Sequence, residues 1–303
     1  MSLDPQARSY LDRLEELGVR PVEELTPEQA REQAEAGAPV LFGPKEDVGS
    51  VVDLEVEGVP VRLYTPEHPP ATVRELPLLV YFHGGGWVVG SLETHDGVCR
   101  ALANRTPCRV AAAGYRRAPE HRFPAAVEDC WAVTRWALAQ GGPVAAGGDS
   151  AGGNLAAVMA LRARDAGLSL AFQLLIYPVT DHGFETASYA ANGRGFGLTE
   201  AGMRWYWRHY LGDADGTHPD ASPLRAPDVA GTAPALVVVC ERDPLRDEGL
   251  AYAARLQESG VPVRVSEYSG MIHGFVRMAA VIGRTQDVLD ESAAALREAF
   301  ARA

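Results

Sequence analysis

Lysine is almost absent from this sequence: Lys45 stands alone, and every other fixed cation is an arginine. A Schiff-base or pyridoxal-type mechanism would have to rest on that one side chain. It sits in a Gly-Pro-Lys-Glu-Asp stretch that reads as a loop, not as a desolvated pocket. Long apolar runs are missing as well. No stretch approaches the roughly 18 residues needed to span a bilayer. The N-terminal MSLDPQARSYLDRLEELG is charged and amphipathic and lacks the apolar centre of a signal peptide. The expectation is a cytoplasmic protein with no stable membrane insertion. Cysteine is sparse: Cys99, Cys108, Cys130 and Cys240 form no C-x-x-C pair, and no H-E-x-x-H or His-x-His pattern accompanies them. They read as small buried hydrophobes in a reducing compartment, and neither a metal nor a cofactor is expected. Positive charge is short overall. With 28 Lys and Arg against 40 Asp and Glu the net charge is −12. Such a chain repels phosphate backbones, which argues against a nucleic-acid partner.

What remains is an ordinary globular composition. The 303 residues are 47% apolar, enough for a large core, and an α/β fold of this length often forms one domain. Residues 5 to 18 place Ala7, Tyr10, Leu11, Leu14 and Leu17 at helical spacing. A second helix starts at Thr26, with Pro27 in its first turn and Gln29 completing a capping box. From residue 51 the pattern changes. Val51 to Glu57 and Val61 to Tyr64 read as a hairpin. Short apolar runs follow at 76–82, 109–115, 144–148, 172–177, 235–240 and 263–268. Helical patterns near 93–105, 124–140, 151–167, 246–259 and 283–301 separate or follow them. Near-continuous apolar strands alternating with helices predict a mostly parallel sheet covered on both faces. Residues 183–222 break the rhythm: they are rich in glycine, and a helix capped by Thr199 aligns Met203, Tyr206, Trp207 and Tyr210 on one face. That stripe reads first as packing.

Four segments carry chemistry. Gly148-Asp149-Ser150-Ala151-Gly152 fits G-x-S-x-G between a strand and a helix, the context of a nucleophile elbow. The turn is too tight for side chains beside the serine, hence a glycine at each end. A phosphate loop would need G-K-[ST] or G-x-G-x-x-G, and neither is present. His83-Gly84-Gly85-Gly86-Trp87 follows the strand ending at Phe82. Its unobstructed backbone N–H groups, two of the three from Gly84, Gly85 and Gly86, could join that of Ala151 as an oxyanion hole. His83 itself reads as ordering this loop. After the strand at 235–240, Asp243 is the leading candidate acid, Asp247 competes from the next helix turn, and Glu241 is a third choice. Finally, Met271-Ile272-His273-Gly274-Phe275 places a histidine in the loop after the last strand. His68, His95, His121, His182, His209 and His218 read as surface or packing residues. The order Ser150, Asp243, His273 is that of α/β-hydrolases and differs from the serine proteases.

On the blocks HGGGWVVGSLETHDGVCR, GYRRAPEHRFPAAVEDC, GDSAGGNLAAV, DASPL, ERDPLRDEG and MIHGF, the chain resembles the hormone-sensitive-lipase-like family of bacterial esterases marked by an HGGG motif. The resemblance covers nearly the whole chain. It implies an α/β-hydrolase fold with a helical cap in two parts: residues 1–48, and the insertion 183–222 between the catalytic segments 49–182 and 223–303. It implies a triad of Ser150, Asp243 and His273, with oxyanion donors among the HGGG glycines and Ala151. It also implies hydrolysis of short- to medium-chain acyl esters without a cofactor. An amidase, lactonase or acyltransferase could use the same triad. A small-molecule receptor on the same fold is the alternative of another class, although such receptors lack a working histidine. A homodimer is left open. One departure stands out: Arg117 occupies the leucine position of the family's Y-R-L-A-P-E block, which predicts a changed packing or salt bridge near Glu120.

Overall fold

The structure, a computed structural model, describes residues 2–69 and 76–303. Two helices come first, α1 (Pro5–Glu16) and α2 (Pro27–Phe42), followed by the hairpin of β1 (Ser50–Val56) and β2 (Val59–Thr65). Strand–helix alternation then runs through β3 (Leu78–Phe82), α3 (Asp96–Arg105), β4 (Arg109–Ala113), α4 (Ala125–Leu138), β5 (Val144–Asp149), α5 (Ala151–Asp165) and β6 (Phe172–Ile176). The insertion supplies α6 (Ala187–Asn192) and α7 (Glu200–Leu211). The chain closes with β7 (Ala235–Arg242), α8 (Arg246–Glu258), β8 (Val263–Ile272) and α9 (Arg284–Phe300).

Local chemistry sets the helix starts. Asp4 accepts from the amides of Gln6 and Ala7 ahead of Pro5. Thr26 and Gln29 make the expected reciprocal capping box. Thr199 accepts from the amide of Gly202.

The described strands form one sheet in the order β1-β2-β4-β3-β5-β6-β7-β8. Pairing is antiparallel from β1 to β4 and parallel from there on. Side chains of β3 alternate between two cores: Leu78, Val80 and Phe82 join one, Leu79 and Tyr81 the other. That two-sided burial is why the strands read as continuous apolar runs. Helix α5 is buried along nearly its whole length, and its alanines and glycines let it lie close against the sheet. Cys99, Cys108, Cys130 and Cys240 are free and buried, as the sequence suggested.

The parallel order matters because it puts the C-terminal ends of β3, β5, β7 and β8 on one edge, with β5 central. β8 also runs four residues beyond its expected end. Arg242 pairs with Ile272 after an irregularity in the β7–β8 register. The next residue on each strand is therefore Asp243 and His273, which leave the sheet side by side.

Candidate active site

Ser150 follows β5 directly and precedes α5. Its backbone takes φ 57° and ψ −120°, a conformation that costs an L-residue on the order of 1–3 kcal/mol. Tight surroundings hold it there. A Cβ on Gly148 would lie 2.4 Å from the Phe82 carbonyl oxygen, and one on Gly152 only 1.8 Å from it. The glycines of G-x-S-x-G are thus fixed by the neighbouring strand. Asn154 anchors the helix: its buried amide donates to the carbonyls of Val179, at 3.0 Å, and Ala221, at 2.8 Å.

Ser150 Oγ lies 2.9 Å from His273 Nε2, and His273 Nδ1 lies 2.6 Å from Asp243 Oδ2. The carboxylate can only accept, so Nδ1 carries a proton and Nε2 is left to accept from the serine. Asp243 is wholly buried. Its other oxygen accepts the Leu245 amide at 2.9 Å, and Asn192 of α6 binds the carbonyls of Glu241 and Asp243. The competing acids are engaged elsewhere. Asp247 accepts from the Ser188 amide at 2.8 Å, and Glu241 from the Gly270 amide at 2.7 Å.

The glycine loop faces the serine. The amide of Gly84 already donates to Asp149 Oδ1 at 3.0 Å, which removes it from the expected donor set. Among the described residues no hydrogen bond engages the amides of Gly85 and Gly86. Ala151 begins α5, where a helix amide has no partner one turn back. Gly85 and Gly86 sit at φ 116° and 58°, backbone that favours glycine.

Beneath the loop lies a buried polar cluster that the sequence did not announce. Asp149 accepts from Tyr81 Oη at 2.9 Å and pairs with His95 Nε2 at 3.1 Å. Burial pushes the Asp149 carboxyl upward, but the His95 ring and its hydrogen bond, the charge of Arg277 and the hydrogen bond from Tyr81 hold it below the usual carboxylate range. His95 had read as surface or packing. No local signal could have linked it to a carboxylate so distant in sequence. His83 does order the loop: Nδ1 donates to the Gly84 carbonyl at 2.9 Å, and its ring stacks on Tyr115 at 4.2 Å. Of the two outcomes expected for Arg117, changed packing is found and a salt bridge to Glu120 is not. Glu120 pairs with Arg31 at 2.6 Å, while Arg117 reaches inward to the Gly90 carbonyl at the end of the glycine loop.

A cavity of about 80 Å³ opens onto Ser150 and His273 and is lined also by Gly86, Leu198, Met203, Tyr206 and Arg277. A larger one, about 500 Å³, lies at the opposite ends of β6, β7 and β8 and holds none of these groups. The aromatic stripe of α7 divides. Trp207 and Tyr210 pack on Trp87, whereas Met203 and Tyr206 face the cavity.

Comparison with known proteins agrees with this architecture. A family described as alpha/beta hydrolase fold matches residues 79–277. The chain belongs to that family. The hydrolase is 41% identical over 271 residues to the carboxylic ester hydrolase LipN of Mycobacterium tuberculosis, covering 83% of this chain and 71% of that one. It is 36% identical over 309 residues to an ethyl acetate hydrolase of Pseudomonas putida, covering 95% and 96%. Among solved structures, a hyperthermophilic esterase from the archaeon Pyrobaculum calidifontis superposes with a TM-score of 0.92 at 38% identity, covering 98% and 99% of the two chains. With its HGGG loop the hydrolase falls in the hormone-sensitive-lipase-like group. No helix among the described residues is long and apolar enough to cross a membrane.

Proposed function

We propose that this carboxylic ester hydrolase works through an acyl-enzyme on Ser150, with His273 as general base and Asp243 holding its tautomer. The line Asp243–His273–Ser150, at 2.6 and 2.9 Å, carries the assignment. His273 Nε2 takes the hydroxyl proton as Ser150 Oγ bonds to the ester carbonyl carbon. The carbonyl oxygen becomes an oxyanion facing the amides of Gly85, Gly86 and Ala151. Collapse expels the alcohol, which receives the proton from His273. Water, deprotonated by the same imidazole, then releases the acid. A non-catalytic receptor has no use for an imidazole held between a buried carboxylate and a serine.

Residues 1–48 and 183–222 act in this reading as a two-part cap over the catalytic segments 49–182 and 223–303. Thr199 donates to Glu23 at 2.9 Å and ties the parts together, and Leu198, Met203 and Tyr206 reach the cavity from the insertion. The small cavity favours short acyl chains, in keeping with the relative named for ethyl acetate.

The test is Ser150→Ala. Turnover of p-nitrophenyl acetate should fall by about 10⁶, and a fluorophosphonate should label wild type once per chain and the variant not at all. Near-normal hydrolysis by the variant refutes the mechanism.

A further inference from the structure

Arg277 ends the short turn Phe275–Arg277 that follows His273. It lines the same small cavity as Ser150 and His273, and it is half-buried. Arg62, Arg116 and Arg162 end on the carboxylates of Asp53, Asp129 and Asp220, and Arg117 and Arg255 end on backbone carbonyls. Arg277 does neither. Among the described residues its guanidinium makes no hydrogen bond and no ion pair; only its backbone amide is engaged, to Gly274.

None of the titratable groups around it holds its guanidinium in a hydrogen bond or ion pair, although its charge helps to hold the Asp149 carboxyl down. Asp149, also on the cavity wall, is committed to Tyr81, Gly84 and His95. Asp243 lies behind His273 and is taken by that ring. Tyr10 and Tyr206 feel the arginine's charge but stay neutral at physiological pH, because burial raises both phenols and Tyr206 reaches about 12. Glu23 is bound by Thr199. The rest of the wall is apolar, from Leu198 and Met203, or glycine backbone. A guanidinium in such a wall with no protein acceptor presents its planar fork to the cavity, where a planar anion can take two parallel bonds in place of water.

We infer that Arg277 is an anion subsite of the ester pocket, selecting esters that carry a carboxylate. The inference rests on the ester-hydrolase reading and adds the substrate class. The carboxylate arrives on either the acyl or the alcohol portion, and the two cases are separable by experiment.

Two matched pairs of esters test this in the full chain. Mono-p-nitrophenyl succinate against p-nitrophenyl butyrate places the charge on the acyl side. 4-Acetoxybenzoate against its methyl ester places it on the alcohol side. In at least one pair, wild type should favour the charged member, and Arg277→Gln should reduce that ratio by about tenfold to hundredfold, the scale of a hydrogen bond to a charged group. The change should fall mainly in KM. Arg277→Lys, which keeps the charge and loses the fork, should fall between the two. In wild type, the preference should also shrink as salt rises, a readout that needs no variant. Equal losses on charged and neutral esters would make Arg277 a mere counter-charge for Asp149 and overturn the inference, as would unchanged ratios in both pairs. Failure of wild type to hydrolyse any of the four esters would strike at the ester reading itself.

Discussion

The backbone amide of Gly84 and the carboxylate of Asp149 are joined at 3.0 Å, so the residue just before the proposed nucleophile also holds the glycine loop opposite it. The sheet makes this contact: Phe82 pairs with Gly148, and the chains that leave β3 and β5 emerge beside each other. A buried charge is tolerated there because Tyr81, Gly84 and His95 converge on it.

Asp149→Asn should therefore act as a positioning defect. The amide keeps the shape but loses the charge that draws in His95 and Gly84. Removing one oxyanion donor outright typically costs about 10²–10³ in rate, and a misplaced loop should cost less, about tenfold to hundredfold in kcat with KM little changed. Steady-state kinetics on p-nitrophenyl acetate, with circular dichroism to check the fold, reads this. A loss confined to KM, or none at all, removes Asp149 from the role.

The acid can be assigned by comparing two isosteric variants. Asp243→Asn should lower kcat by about 10⁴, the effect of presenting the wrong histidine tautomer in a comparable triad. Asp247→Asn should fall within about tenfold of wild type, since Asp247 serves the amide of Ser188. The reverse ranking would exchange their roles.

These cases show what the sequence could carry. The elbow was legible because steric demands on Gly148 and Gly152 leave no choice of residue, and the strands because burial on both faces makes them uniformly apolar. For the acid, the sequence ranks Asp243 ahead of Asp247 and Glu241 by its place at the end of a strand, without geometry to exclude the other two. Choosing among them takes the β7–β8 register, where Arg242 meets Ile272, and no periodicity encodes that shift. His95 and Arg277 were invisible for a related reason. Their partners, or lack of them, are properties of distant segments brought together. Arg117 was noticed, but its direction was not: Arg31 of α2, remote in sequence, had already taken Glu120.

Tyr206 should set acyl-chain length. A Cβ on Gly86 would lie 2.1 Å from Tyr206 Cδ1, so the ring rests directly on the glycine loop and closes the cavity. Tyr206→Ala opens that space. Each further acyl methylene reaching apolar cover is worth roughly 0.8 kcal/mol, about fourfold in kcat/KM. The chain-length optimum among p-nitrophenyl esters should move from acetate or butyrate toward hexanoate and octanoate. An unchanged profile would mean that another wall limits the chain.

His83 predicts how stability depends on pH. Burial, then the neighbouring His95, hold its pKa down at about 3, against 6.5 for an unperturbed ring. Between those values the unfolded chain binds a proton that the folded one refuses, so stability rises with pH across the window. The contribution is complete above about pH 6.5 and is lost as pH falls toward 3. It amounts to on the order of 5 kcal/mol if the whole shift is expressed. Asp149 acts in the same direction at lower pH, because its folded pKa is depressed and its stabilisation is lost as the carboxylate protonates. Urea midpoints measured from about pH 7.5 down to pH 4 should therefore fall in wild type. They should fall less steeply in His83→Asn, whose amide can still donate to the Gly84 carbonyl but takes up no proton. Because Asp149 titrates mainly below that range, a difference in slope between the two proteins isolates the histidine. Parallel slopes would assign the acid sensitivity to other groups.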